Sequence, residues 1–248
     1  MEQDKALVVG IDFAAQPANT WAAVGRSEGA HLVVTEIVHP IKDEDVVFQI
    51  ESGPAVVAID IPFGWPEAFV SFVSQHHYKK SATEADTPAF SYRRTDQFVR
   101  AKTRKTPLSV STDKIGIAAR RMACLISRLR RCEIVPFSSN GSRTKVIEVY
   151  PAATLAAFGL SEPGYSSRLA QKRDSSAAAR RRLISELSNL GLRTTDAVKA
   201  SCENSGDALD AAICAFTAHL YLSGSTWAVP DDEVIRREGW IFFPKTEL

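Results

Sequence analysis

The sequence predicts an α/β fold: a mixed sheet, made of a three-strand antiparallel meander plus parallel strands, flanked by helices. Three observations predict it. Residues 6–14 (ALVVGIDFA) and 55–61 (AVVAIDI) are continuous runs rich in β-branched residues, the pattern of strands buried on both faces. Segments 20–25 and 31–38 follow the first run after gaps too short for a crossover helix, so these strands must turn back on one another. Helical patterns then recur at 115–131, 174–189 and 208–222, enough to cover such a sheet.

Taken in order, a short helix at 43–51 precedes the run at 55–61, which lets that strand lie parallel to the first through a right-handed crossover. Pro62 and Pro66 end it. From 62 to about 114 the periodicity weakens into an irregular, basic and aromatic insertion with helix at 67–75 and 96–102. Helix 115–131 carries Ile115, Ala118, Met122, Leu125, Ile126 and Leu129 as its inner stripe. A short strand at 146–150 is closed by Pro151, with a short helix at 152–158. Gly191 stops helix 174–189, and helix 208–222 is the most apolar and should be buried. In the tail, 227–229 and 240–243 could each pair on a sheet edge. The 248 residues read as one domain carrying the insertion at about 62–114.

Composition excludes several classes. The chain has 45% hydrophobic and 24% charged residues, ordinary for a globular protein, and no run of 18 apolar residues, so no membrane partner is expected. Its first residues lack the basic and apolar stretches of a secretory signal. Four cysteines without a CxxC pair fit a reduced, cytoplasmic location and argue against structural zinc. The net charge of +1 hides an imbalance. Residues 1–78 hold 3 basic and 11 acidic side chains, 79–182 hold 22 and 8, and 183–248 hold 5 and 10. A basic middle suits an acidic partner, nucleic acid above all, although solvated arginine-rich helix faces would give the same count.

Acids in apolar runs carry the chemistry. Asp12, Asp60 and Glu148 each sit among Val, Ile and Ala, where an ionised carboxylate costs several kcal/mol unless it is paired or metal-bound. Neither Asp12 nor Asp60 has a cation within four residues. Asp207 and Asp210 lie three apart, on one face of the helix that Ser205 is placed to cap, where the helix dipole favours negative charge. Each has a bland alternative: capping for Asp207, turn formation for Asp60. Together they point to a divalent, oxygen-ligated ion, Mg²⁺ or Mn²⁺. Asp96 is either a fifth acid of this group or a helix-turn partner of Arg93 or Arg100.

Five blocks, in order along nearly the whole chain, carry a resemblance: Gly10-Ile11-Asp12-Phe13-Ala14, Ile59-Asp60-Ile61-Pro62-Phe63-Gly64, Arg93-Arg94-Thr95-Asp96, Ile147-Glu148-Val149-Tyr150-Pro151 and Asp207-Ala208-Leu209-Asp210-Ala211. With these the chain resembles the RNase H-like nuclease superfamily, and within it the predicted nucleases of the "domain of unknown function 429" family. The resemblance implies an RNase H-like sheet. It also implies a two-metal site in which Asp12 and Asp60 stand for the acids of the first and fourth strands, and Asp207 with Asp210 for those of the final helix. Glu148 has no equally firm counterpart, and 61–115 exceeds the compact core of that superfamily.

The expected activity is therefore hydrolysis of phosphodiester bonds in DNA or RNA by a divalent-metal-dependent nuclease, with two ions about 3.5–4 Å apart. Catalysis is expected from Asp12, Asp60, Asp207, Asp210 and Glu148, with metal held by the four aspartates. Lys79, Lys80, Arg93, Arg94, Arg100, Lys102, Arg104 and Lys105, interleaved with Tyr78, Phe90, Tyr92 and Phe98, would guide the polyanion. Arg120, Arg121, Arg128, Arg130 and Arg131 would extend that surface. The alternatives are a nucleic-acid-binding module without cleavage, and an actin-like ATP phosphotransferase. Phe13-Ala14-Ala15-Gln16-Pro17 lacks the glycine-rich phosphate turn the latter needs.

Overall fold

A computed structural model describes residues 5–79, 87–167, 171 and 173–245. Strands β1 (Ala6–Asp12), β2 (Trp21–Glu28) and β3 (His31–Val38) form the expected antiparallel meander. Helix α1 (Asp43–Glu51) crosses over and returns the chain as β4 (Val56–Asp60), parallel to β1. The insertion holds α2 (Glu67–Lys79), α3 (Thr87–Ser91) and α4 (Arg94–Thr103). Helix α5 (Ile115–Ile126) leads to β5 (Cys132–Val135) and β6 (Thr144–Val149), then to α6 (Pro151–Ala157). Helix α7 (Arg173–Asn189), β7 (Leu192–Thr194), α8 (Asp196–Asn204), α9 (Gly206–Leu222), α10 (Glu233–Glu238) and β8 (Ile241–Phe242) follow.

The open sheet runs β5-β6-β4-β1-β2-β3-β7, and β8 lies parallel to the last residues of β6, continuing the edge that β5 begins. Two cores follow from the period-2 alternation of the central strands. Val8, Val56 and Ala58 face α9 with its Ala208, Ala211, Ala212 and Ala215. Val9, Ile11, Val57 and Ile59 face the other way, onto Val46 and Ile50 of α1 and Ala118, Met122 and Leu125 of α5.

One contact fixes the position of α9. A Cβ at Gly10 would lie 2.1 Å from the Ala215 nitrogen and 2.2 Å from the Ala211 oxygen. Only glycine lets this helix backbone rest directly on β1.

Differences from the sequence expectation have local causes. The helix beginning at Ile115 ends at Ile126 rather than 131, because the chain must turn to enter β5. Strands β5 and β7 are four and three residues long, too short to show alternation. Helix α8 was not anticipated, although Thr195 caps it by accepting the Val198 N–H at 3.3 Å. Segment 240–243 does pair on an edge, as β8, whereas 227–229 forms no strand. Among the described residues no helix is long and apolar enough to cross a membrane.

Candidate metal centre at the carboxyl end of the sheet

Asp12 and Asp60 are the last residues of β1 and β4, and the parallel register sets them directly abreast. Neighbouring strands lie about 4.8 Å apart. Asp12 continues the Val8–Gly10 side of β1, and Asp60 the Val56–Ala58 side of β4, so both point to the face covered by α9. Both are half-buried, as are Asp207 and Asp210.

Helix α9 brings the second pair. Ser205 caps it, accepting the Ala208 N–H at 3.3 Å, which places Asp207 in the first turn and Asp210 one turn later. The same helix presses Ala211 and Ala215 onto Gly10, two residues before Asp12. The carboxylates consequently feel one another. Burial pushes the Asp60 carboxyl well above its ordinary value, and the charges of Asp210 and Glu148 push it further. Burial raises Asp210 from 3.8 to about 7; the hydrogen bond from Tyr165 opposes the rise and Asp207 adds to it. Cys214, one turn further on, is held as a neutral thiol by burial and by the charges of Asp60, Asp12 and Asp210.

Two tyrosines close the site. The Tyr165 hydroxyl donates to Asp210 Oδ1 at 2.7 Å, and burial with the Asp210 charge keeps it firmly protonated. Tyr150 follows β6, and its hydroxyl is pushed up to about 12 by burial and then by Asp60 and Asp210. Arg180, buried on α7, holds the Tyr165 loop in place. It donates to the carbonyls of Tyr165 at 2.6 Å and Glu203 at 2.8 Å, the latter at the end of α8. The sequence signal for Arg180 was an arginine in the run 180–182, and nothing local separated this buried member from its neighbours.

Glu148 does not join the four aspartates. It pairs with Ile59, which belongs to the opposite face of the sheet, and lies on the same side of β6 as Val146. There it meets Arg93, whose guanidinium is 1% exposed. Arg93 spends all five N–H groups: two on Asp96 (3.2 and 2.9 Å), two on Glu148 (2.9 and 2.6 Å) and one on the Glu238 carbonyl (3.3 Å). Glu148 also accepts the Phe63 N–H at 3.0 Å. This corrects two sequence expectations for physical reasons. Glu148 gives both carboxylate oxygens to a buried cation, although its charge still reaches Asp60, and Arg93 has no donor left for a phosphate. Asp96 takes its bland role as the helix-turn partner of Arg93.

One family model matches most of the chain. The model of the family described as "Protein of unknown function (DUF429)" matches residues 10–234. The chain belongs to the DUF429 family. The matched span takes in all four aspartates, Arg93 with Asp96 and Glu148, and both tyrosines. No curated protein matches this DUF429 chain, and no solved structure does.

The remaining cations of the DUF429 chain divide by location. Arg94 is exposed and paired with Asp232, while its backbone N–H donates to Glu238 Oε2 at 2.8 Å. The Lys102 ammonium stands 4.6 Å over the Trp227 ring and 5.7 Å over Phe98. Arg100 and Arg104 are exposed, and Lys105 is half-buried. Lys79 ends α2 and is exposed; Lys80 lies outside the described residues. Arg121 turns inward, pairing with Asp43, donating to the Ala14 carbonyl at 2.6 Å and covering the Phe13 ring. Arg120, Arg128, Arg130 and Arg131 remain on the surface. Among the described residues, no three His, Cys, Asp or Glu side chains are drawn into a coordinating arrangement.

Proposed function

We propose that this protein is a divalent-metal-dependent nuclease of RNase H-like fold, hydrolysing phosphodiester bonds in DNA or RNA. The observation that carries the proposal is the register pair Asp12–Asp60 under the first turns of α9, with Asp210 within electrostatic reach of both strands and Asp207 one turn before it on the helix. The order of the sheet also supports it, since the meander followed by a parallel fourth strand is the arrangement the superfamily resemblance implies.

The donor set suits Mg²⁺ or Mn²⁺. All four groups are hard carboxylate oxygens, and the raised protonation of Asp60 and Asp210 describes a cluster short of positive charge. When bound, such ions supply Lewis acidity and an activated water. Asp12 and Asp60, fixed on rigid strands, would hold one side of the ion pair, with Asp210 and Asp207 on the other. Tyr165 orients Asp210 by its hydrogen bond and fixes which oxygen remains open. Cys214 stays a neutral thiol, held so by burial and by the carboxylates around it.

The test is cleavage of single-stranded DNA, duplex DNA, RNA, hybrid and branched substrates with Mn²⁺ or Mg²⁺. Asp12→Asn and Asp60→Asn should each abolish cleavage while keeping the circular dichroism spectrum. Absence of cleavage on every substrate with both metals overturns the proposal. Salt-sensitive binding that survives both substitutions, without cleavage, would assign the protein to the non-catalytic binding class instead.

A further inference from the structure

A cleft of about 110 Å³ opens beside Asp60. Ile61, Pro62, Pro107, Leu108 and Tyr150 wall it. Arg93 and Glu148 also line it, but their polar atoms are already committed, to each other and to Asp96, the Glu238 carbonyl and the Phe63 N–H, so this stretch of wall offers a ligand little further hydrogen bonding. A single water needs roughly 10–15 Å³ of such space, so the cleft admits a group the size of an aromatic ring. Its walls are an aromatic ring, prolines and aliphatic side chains, surfaces on which a flat, weakly polar group rests well. The chain that forms one wall arrives through Arg104 and Lys105, placing an exposed cation and a half-buried one just before Pro107 and Leu108. Ring-sized apolar space next to a carboxylate, approached through a basic loop, has the chemistry of a nucleotide: base in the cleft, phosphate outside.

We propose that this cleft is a base-binding subsite, holding one unstacked nucleobase of the polynucleotide whose neighbouring phosphate lies at the aspartates. The proposal rests on the nuclease reading and narrows its substrate class. A base can enter only if it is free of its partner, so the preferred substrate is single-stranded nucleic acid or a frayed strand end rather than an intact duplex.

Photocrosslinking tests it without relying on turnover. The probe is a single-stranded octathymidylate carrying one 4-thiothymidine, irradiated with the full-length protein in Ca²⁺, with adducts located by mass spectrometry. Adducts are expected on Tyr150 or on the Pro107–Leu108 wall, and a fully complementary duplex of the same probe should give at least tenfold less. Leu108 is 59% exposed, so Leu108→Trp should leave the thermal midpoint unchanged while filling the cleft and cutting adduct yield at least tenfold. Leu108→Ala should retain the adduct. Adducts elsewhere, no adduct at all, equal yields from duplex, or undiminished yield in Leu108→Trp would overturn the subsite. Adduct at Tyr150 with no cleavage in Mn²⁺ keeps the subsite and removes the nuclease reading. Cleavage without that adduct does the reverse.

Discussion

Replacing Asp210 by asparagine should stabilise the metal-free protein, and only at neutral to alkaline pH. In the folded chain this carboxyl is raised from 3.8 to about 7. Between those values the folded protein holds a proton that the unfolded chain has released, so stability present below pH 4 is lost as pH rises through 7. The climb from 3.8 to about 7 corresponds to about 4 kcal/mol at pH 8, where the group must ionise in place. Asp210 is half-buried and open to some water, which reduces the gain to about 2–3 kcal/mol. Asparagine is neutral and nearly isosteric, and its oxygen can still accept the Tyr165 hydroxyl. Urea unfolding in EDTA at pH 4, 6 and 8 measures the effect: the variant should match the parent at pH 4 and exceed it at pH 8. In a chain of this size 2 kcal/mol is about 4–8 °C in Tm. Adding Mn²⁺ should stabilise the parent at pH 8 and close the gap. A variant that is less stable at pH 8, or equally shifted at pH 4 and 8, refutes the argument that burial and negative neighbours destabilise this acid.

Three further predictions follow from other contacts. Gly10→Ala drives a methyl into the backbone of α9 and should cost about 3 kcal/mol or more in urea unfolding, or prevent folding outright; a change under 1 kcal/mol would show that α9 can back away freely. Glu148→Ala leaves Arg93 with one buried carboxylate instead of two and should lose about 3–5 kcal/mol of stability, whereas Mn²⁺ affinity measured by calorimetry should remain within twofold if the protein folds; a tenfold loss of affinity would return Glu148 to the metal site. His219 sits with its Nδ1 2.7 Å from Ser27 Oγ, and its pKa is lowered by burial first and then by the charge of His31, so the buried neutral ring leaves the fold fully stable above pH 6.5 and that stability is lost as pH falls below it. His219→Gln should flatten that part of the pH–stability curve between pH 7 and 5, and an unchanged slope would contradict the assignment.

Much of the sheet was legible because its central strands are buried on both faces and read as unbroken apolar runs. The same property made Asp12 and Asp60 conspicuous. Helix α1 could be bounded to the residue, since acids fill its first turn and Ser52-Gly53 follow its end. The partners could not be read. Glu148 looks identical to Asp60 within its own strand, and which face it takes depends on the β4–β6 register, a relation between segments 88 residues apart. Arg93 sits in a run of cations and nothing beside it announces that it is swallowed whole; only the convergence of Asp96, Glu148 and the Glu238 carbonyl does so. Tyr165 lies in a loop without periodicity, and its role depends on Arg180 drawing that loop against the end of α8.

The seat of α9 on Gly10 also has a consequence for the order in which the chain is made. Strands β1 to β4 are complete once residue 60 has been synthesised, and α1 can begin to shield one side of them. The other side stays without its principal cover until residues 206–222 emerge. At about 5–20 residues per second that interval lasts on the order of ten seconds or more. Throughout it the nascent protein presents an apolar, β-rich surface, so its yield in the cell should depend on holding chaperones and on translation speed more than on the stability of the finished fold.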